Sequence, residues 1–493
     1  MTSPSPPVEV ARQEYRQLRQ KGLTDAQLAE WKKQYHAVYA WSSPYNSLRL
    51  NYNRDPQDFP LIIAQLKRTK QMVSLLRQCK KYQFPFSIRG GGHDVLAYSL
   101  SSGIVFDLRR RNQVRFISDL TPCAKGGLDY RLVKVGAGAR IMDVVTTVSQ
   151  KGYAFASGTC GTVGMSLALG SGFGFLSRRY GLTIDTLIAV QVILANGQII
   201  TASEREHDDL FWAIRGAGSC NYGLITDFIF KVFPLRKVIL AILLFPLQQL
   251  VEFMHIWQEW AVKADWDLTT ALRINSETLE LECQLDGGSK HHLEDLVRVF
   301  EPLQPKTKIF EGPLGPGKIS PLGEIFESSY REAVEFFTNS TPQWQFHILS
   351  SYIVEPLSLV TLQRLQAQLL RAPPGCVVTC SGLGGRVSTV PKDTTAFAYR
   401  DAIYWIQVQG NWNNFPEKKA AVDWAELTYS QLKPDILNPV TQTPRAYVGF
   451  KQLNLGDSYP QAYWAEHYPR LQQVKAKYDP KDVFTYPQSV KSP

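Results

Sequence analysis

Arg89-Gly90-Gly91-Gly92-His93 is the run from which the rest of the chain is read. Three consecutive glycines let the backbone take conformations barred to residues with a Cβ. Peptide N–H groups can then close on a pyrophosphate with no side chain in the way. Taken alone, the run also fits a glycine-rich loop that happens to precede a surface histidine. A second segment tips the balance: Gly158-Thr159-Cys160-Gly161-Thr162-Val163-Gly164, continued by Gly170-Ser171-Gly172-Phe173-Gly174 and Ser177-Arg178-Arg179-Tyr180-Gly181-Leu182-Thr183.

Around these segments the chain has the make-up of a globular protein, 44% hydrophobic and 20% charged, and its 493 residues allow about two to four domain-sized units. The net charge of +10 raises the question of a nucleic-acid partner. The excess is spread along the chain, however, and its densest run, Arg109-Arg110-Arg111, follows the apolar Ile104 to Leu108 as the polar exit of a strand. No nucleic-acid partner is therefore expected. Seven scattered cysteines, among them Cys123, Cys376 and Cys380, suggest neither a disulfide framework nor a metal spacing. Met1 to Val10 lacks the apolar core of a signal peptide, and no run of ~18 apolar residues occurs. The expectation is a soluble, cytoplasmic protein that works on a small molecule.

Along the chain, Thr24 reads as the N-cap of a helix that includes Leu28 and Trp31. Short apolar runs at Phe86 to Ile88, Ile104 to Leu108, Arg131 to Val135 and Leu187 to Leu194 read as strands. Helices are expected around Met72 to Leu76 and over Met142 to Gly152. Beyond about residue 236 the pattern changes to an antiparallel sheet with helices on one face. Its strands are Val238 to Leu244, Thr278 to Leu285 and Ala402 to Trp412, and its helices Val251 to Trp260 and Leu359 to Leu370. Glu311 to Pro321 and Ala372 to Gly385 read as Pro/Gly-rich loops. The tail is expected to bring a strand from Ala446, a helix over Trp464 to Lys477, and an extended end.

Five segments together carry a resemblance: the glycine-histidine run, the Gly-Thr-Cys segment, Asp209 to Gly218 with Asn221 to Thr226, Ala446 to Gly456, and Tyr478 to Val490. From about residue 45 to its end the chain resembles the berberine-bridge-enzyme-like oxidases, a branch of the vanillyl-alcohol-oxidase flavoproteins. The resemblance implies an α+β, two-lobed PCMH-type FAD-binding fold. An extension over 1–44 precedes an FAD-binding domain over 45–235, and a substrate-binding domain over 236–435 is followed by a C-terminal segment over 436–493 that returns to the FAD lobe. It further implies FAD bonded twice, through its 8α-methyl to His93 and through ring carbon 6 to Cys160. Backbone contacts are implied from Arg89, Gly90, Gly91 and Gly92 to the pyrophosphate, from Gly158, Val163 and Gly164 near the ring, and from Ile225 toward the adenine. In plant relatives a valine at the position of Val163 accompanies oxidases, which implies dioxygen as acceptor and hydrogen peroxide as product.

Two positions depart from the family pattern. Phe450 stands where many members carry the tyrosine thought to take the substrate's hydroxyl proton. Phe173 stands where plant alcohol oxidases carry a second one, in a segment about one residue short. In a regular strand Tyr447, three residues before Phe450, points to the opposite face and reads as a core tyrosine. Alternation over Tyr404 to Asn411 places Trp405, Gln407, Gln409 and Asn411 on one face and Tyr404, Ile406 and Val408 on the other. The first set reads as the substrate wall, with Gln407 aligned to a glutamine that family members place above the flavin. The resulting expectation is an FAD-dependent oxidase passing hydride from an alcohol, such as a carbohydrate, to covalent FAD and then to oxygen. Two alternatives stay open: an oxidative tailoring or cyclising enzyme acting on an amine or phenol, and a flavin-binding protein impaired in catalysis.

Overall fold

The computed structural model describes residues 8–55, 58–117, 129–287, 298–304, 306–308, 326–339 and 345–493. The expected loop Glu311 to Pro321 and Cys123 lie outside them. Short apolar runs bounded by glycine or proline build three sheets. In the first, β1 (Ala37–Val38), β2 (Ile62–Gln65), β3 (Phe86–Arg89) and β4 (Ile104–Asp107) lie in the order β1-β2-β4-β3. Strands β2, β4 and β3 are mutually parallel, and β1 is antiparallel. A parallel strand needs a long crossover, here the helix Thr69–Tyr82, which buries Met72, Leu75, Leu76 and Cys79 at helical spacing. Thr24 caps the helix Asp25–Tyr35: its Oγ1 accepts from Gln27 N at 3.2 Å, and Gln27 Oε1 accepts from Thr24 N at 2.8 Å. That helix runs into β1, so Ala37 and Val38 belong to the first sheet.

The second sheet comprises β5 (Val114–Phe116), β6 (Arg131–Gly136), β7 (Tyr153–Ala154), β8 (Leu187–Ile193), β9 (Ile199–Ser203) and β10 (Leu224–Pro234). Its order is β5-β6-β10-β8-β9, antiparallel throughout, with β7 on the end of β10. The third contains β11 (Val238–Pro246), β12 (Leu268–Ile274), β13 (Thr278–Asp286), β14 (Lys306–Lys308), β15 (Phe326–Ser328), β16 (Gln345–Ile353), β17 (Val377–Gly382) and β18 (Tyr404–Trp412). They form an antiparallel sheet in the order β14-β11-β13-β12-β17-β18-β16, with β15 beside β11. Helices Leu250–Lys263, Leu359–Leu369 and Phe415–Ile436 bury one face of this sheet, where Tyr404, Ile406, Val408 and Trp412 join the core. The architecture is α+β, as expected.

One expected loop is corrected. Ala372 to Gly385 contains β17, which lies between β12 and β18. The β-branched run Val377-Val378-Thr379 outweighs the flanking prolines and glycines because two strands supply partners for its backbone.

Charged contacts hold the lobes in register. The Arg400 guanidinium donates to both carboxylate oxygens of Asp185, at 2.7 and 2.8 Å. In the returning C-terminal segment, Lys475 Nζ is fully buried and donates to Asn221 O at 2.6 Å, Asp479 Oδ2 at 2.7 Å and Phe484 O at 2.8 Å. No helix among the described residues is long and apolar enough to cross a membrane. Replacing Lys475 with Ala leaves Asp479 charged in a dry interior, and chemical denaturation should show a loss of about 3–5 kcal/mol. An unchanged midpoint would mean that the C-terminal segment is not anchored there.

Candidate active site

The two glycine-rich segments meet back to back. A Cβ added to Gly91 would lie 2.3 Å from Gly164 N, and one added to Gly164 would lie 2.3 Å from Gly91 N. Only backbone fits between them, and the residues flanking this contact are turned into a cavity of about 430 Å³. Gly90, Gly92, His93, Gly158, Cys160, Val163 and Ile225 line it, whereas Arg89, Gly91 and Gly164 stand behind the wall. The Arg89 guanidinium donates to the carbonyls of Leu48 and Leu50, which leaves its backbone as the part facing the glycine run.

Within that wall two nucleophiles share one hydroxyl. Thr162 Oγ1 lies 3.0 Å from His93 Nε2 and 3.2 Å from Cys160 Sγ. Tyr52 stacks on the His93 ring with centroids 4.1 Å apart. Burial, with Arg140 and Arg89 nearby, lowers the His93 imidazole to about 4, so it is neutral and nucleophilic at ordinary pH. With Nε2 held by Thr162, His93 Nδ1 makes no hydrogen bond among the described residues.

The opposite wall is the uncovered face of the third sheet, where Trp405, Gln407, Gln409 and Asn411 point into the cavity as alternation predicts. Their amides form a chain. Asn411 Nδ2 donates to Gly375 O at 2.6 Å, Gln409 Nε2 donates to Asn411 Oδ1 at 2.6 Å, and Gln407 Nε2 donates to Gln409 Oε1. Because a carbonyl can only accept, Gly375 fixes the direction of the whole chain. Its last member, Gln407, is left with its Oε1 open toward the cavity as an acceptor.

Phe173 and Phe450 flank this row, their ring centroids 5.0 and 5.5 Å from that of Trp405. The strand expected from Ala446 is a turn instead: Phe450 N donates to Tyr447 O at 2.9 Å. Positions three apart therefore share a side, and Tyr447 lines the cavity next to Phe450 with centroids 5.3 Å apart. This corrects the expectation that Tyr447 faces away. Gly449 is the physical reason, since a Cβ there would lie 2.4 Å from Tyr447 Cζ. The Tyr447 hydroxyl interacts with Ser171 and the Gly172 backbone, and burial raises its pKa, so it is poorly suited to accept a proton.

Sequence reading missed Tyr52, Thr162, Arg273 and Glu282, all but Thr162 being part of the cavity lining. Alternation in Thr278 to Asp286 does set Glu280, Glu282 and Gln284 apart from Leu279, Leu281, Cys283 and Leu285. What the sequence withholds is which face of that strand meets the site.

The sequence matches the FAD binding domain family over residues 60–203 and the berberine and berberine like family over residues 446–491. The FAD-linked oxidoreductase YgaK of Bacillus subtilis is 30% identical over 457 residues, covering 90% of this chain and 94% of that protein. The chain belongs to the berberine-bridge-enzyme-like FAD-linked oxidoreductases. Two solved structures share the family fold. Berberine-bridge-enzyme-like 1 of Physcomitrella patens aligns with a TM-score of 0.81 at 23% identity, covering 94% of this chain and 99% of that one. Glucooligosaccharide oxidase of Acremonium strictum, described with a 6-S-cysteinyl, 8α-N1-histidyl FAD, aligns with a TM-score of 0.80 at 22% identity, covering 92% and 96%.

The residues of this family member fit its cofactor. The backbone cradle at Gly91 and Gly164 has no room for side chains, and among the described residues the cavity-lining atoms Ser99 Oγ and Trp405 Nε1 are buried without a hydrogen-bond partner. Gly91→Ala should push the two walls apart, giving a folded protein without the visible flavin band; a yellow variant would show that the close approach is dispensable. If FAD attaches through His93, its loading by this route should stay level from neutral pH down to about 4, where His93 gains its proton. Loading that instead falls through the ordinary histidine range would place His93 in a wetter setting.

Proposed function

We propose that the chain is an oxidase that holds FAD through both His93 and Cys160 and takes hydride from a carbon bearing a hydroxyl or an amine. The observation that carries this reading is the pairing of both nucleophiles on Thr162, across the cavity from the open carbonyl of Gln407. When bound, FAD supplies the hydride acceptor and returns the electrons to dioxygen as hydrogen peroxide. Gly90, Gly92, Gly158 and Ile225 would hold it through backbone, with Arg89, Gly91 and Gly164 shaping that wall from behind. Val163, on the same wall, would leave room for dioxygen.

On the substrate side Gln407 Oε1 would accept a hydrogen bond from the donor's O–H or N–H and so orient the C–H to be broken. Trp405, Phe173 and Phe450 would shut out water around that carbon, and Gln409 would hold Gln407 in its one orientation. A second reading is favoured by the phenyl rings at 173 and 450. Neither can take a proton, so an amine or an acidic phenol, which needs less help from a base than a sugar hydroxyl does, is the alternative donor class.

Acid-precipitated protein should remain yellow in the wild type and in His93→Ala or Cys160→Ala alone, and turn colourless only when both are replaced. A colourless wild-type pellet would refute covalent attachment. With a donor found by peroxide release from a panel of sugars, alcohols and amines, Gln407→Leu should slow flavin reduction by roughly tenfold to a hundredfold. An unchanged rate would remove Gln407 from the reaction.

A further inference from the structure

The cavity floor extends past the amide row. Strand register places Gln407 beside Thr379 and Thr379 beside Arg273, while Trp405 pairs with Ser381, Ser381 with Ala271 and Ala271 with Glu282. All of these side chains project from one face of the sheet into the same cavity. Two strand spacings put the Arg273 backbone about 10 Å from that of Gln407. The far end of the floor is therefore charged, although the end at Trp405 is aromatic.

Arg273 forms no hydrogen bond or ion pair within 4 Å among the described residues. Its charge acts on Glu282 at one side and on Tyr52, the ring stacked on His93, at the other. Glu282 does not cancel that charge. Burial, together with neighbouring Glu280, pushes its carboxyl up to about 8, so near neutrality it keeps its proton and can donate. A half-buried guanidinium that lines the cavity beside a protonated carboxyl, with its cross-strand neighbour Glu280 beyond ion-pair distance, matches an anion with paired oxygens.

We propose that Arg273, assisted by Glu282, is the specificity-determining residue for a donor bearing a carboxylate, held about two strands away from the carbon presented to Gln407. This rests on the oxidase reading for the identity of the reacting end. The carboxylate sets which donors enter and in which direction they lie: charge at Arg273, apolar body across Thr379 and Trp405, reacting C–H beneath Gln407.

Calorimetric titration of the holoenzyme with para-(hydroxymethyl)benzoate and its equal-sized amide tests the proposal independently of turnover. The acid should bind about tenfold or more tightly than the amide. Arg273→Gln should bring the two within about twofold without loss of flavin colour, and Arg273→Lys should retain part of the preference. Equal affinities in the wild type, or a preference that survives Arg273→Gln, would overturn it. Tighter binding of para-(hydroxymethyl)benzylamine than of the acid would also overturn it, assigning the wall to a cation. Bleaching of the flavin band reads the oxidase separately: selective acid binding with no donor of any class reducing the flavin would sink the oxidase reading and leave the carboxylate site standing.

Discussion

Gly91 and Gly164 touch backbone to backbone, and the rest of the site depends on that contact. Each of the two segments carries one nucleophile a few residues away, His93 on one and Cys160 on the other. If either glycine bore a side chain, the segments would separate by at least the width of a methyl group, and His93 and Cys160 would no longer meet across Thr162. The surrounding fold serves the contact. Parallel β3 and β4 present the first segment, the N–H groups of Ile141 and Met142 just after β6 donate to Val163 O and Gly161 O of the second, and the buried Lys475–Asp479 pair fastens the returning tail to Asn221.

The third sheet answers from across the cavity with a face divided by chemistry. One face is sealed by helices. On the other, Trp405 and the amides of Gln407, Gln409 and Asn411 follow one another along β18, and Arg273 and Glu282 lie across the sheet on β12 and β13. Hydrogen-bond direction, fixed at Gly375, reaches Gln407 through two intervening amides, so a backbone carbonyl just before β17 decides what the centre of the site offers a substrate. Gly449, next to Phe450, lets Tyr447 fold inward. The rings of Phe173, Trp405, Tyr447 and Phe450 pack together at this end of the cavity, and the Tyr447 hydroxyl is held by Ser171 and the Gly172 backbone.

Local pattern in the sequence revealed those features that depend on neighbours in the chain. The two faces of β18, the cap at Thr24, and the glycine runs with their His and Cys were all legible because alternation, capping and glycine spacing are local. Features set by pairing at a distance were not. The β17 strand looked like a Pro/Gly loop until β12 and β18 flanked it. Arg273 and Glu282 carried no local signal because their place in the cavity depends on a register across four strands. Tyr447 was misplaced for a smaller reason: one hydrogen bond between residues 447 and 450 turns a strand into a turn and reverses which side chains share a face.

The central claim is that a single flavin bridges the two glycine-rich segments. Mass spectrometry of the denatured protein tests it directly. The account predicts an intact mass equal to the chain plus one FAD and, after proteolysis, a peptide containing His93 and a peptide containing Cys160 recovered as one adduct joined through the flavin. A denatured chain of unmodified mass, with both peptides free, would contradict it.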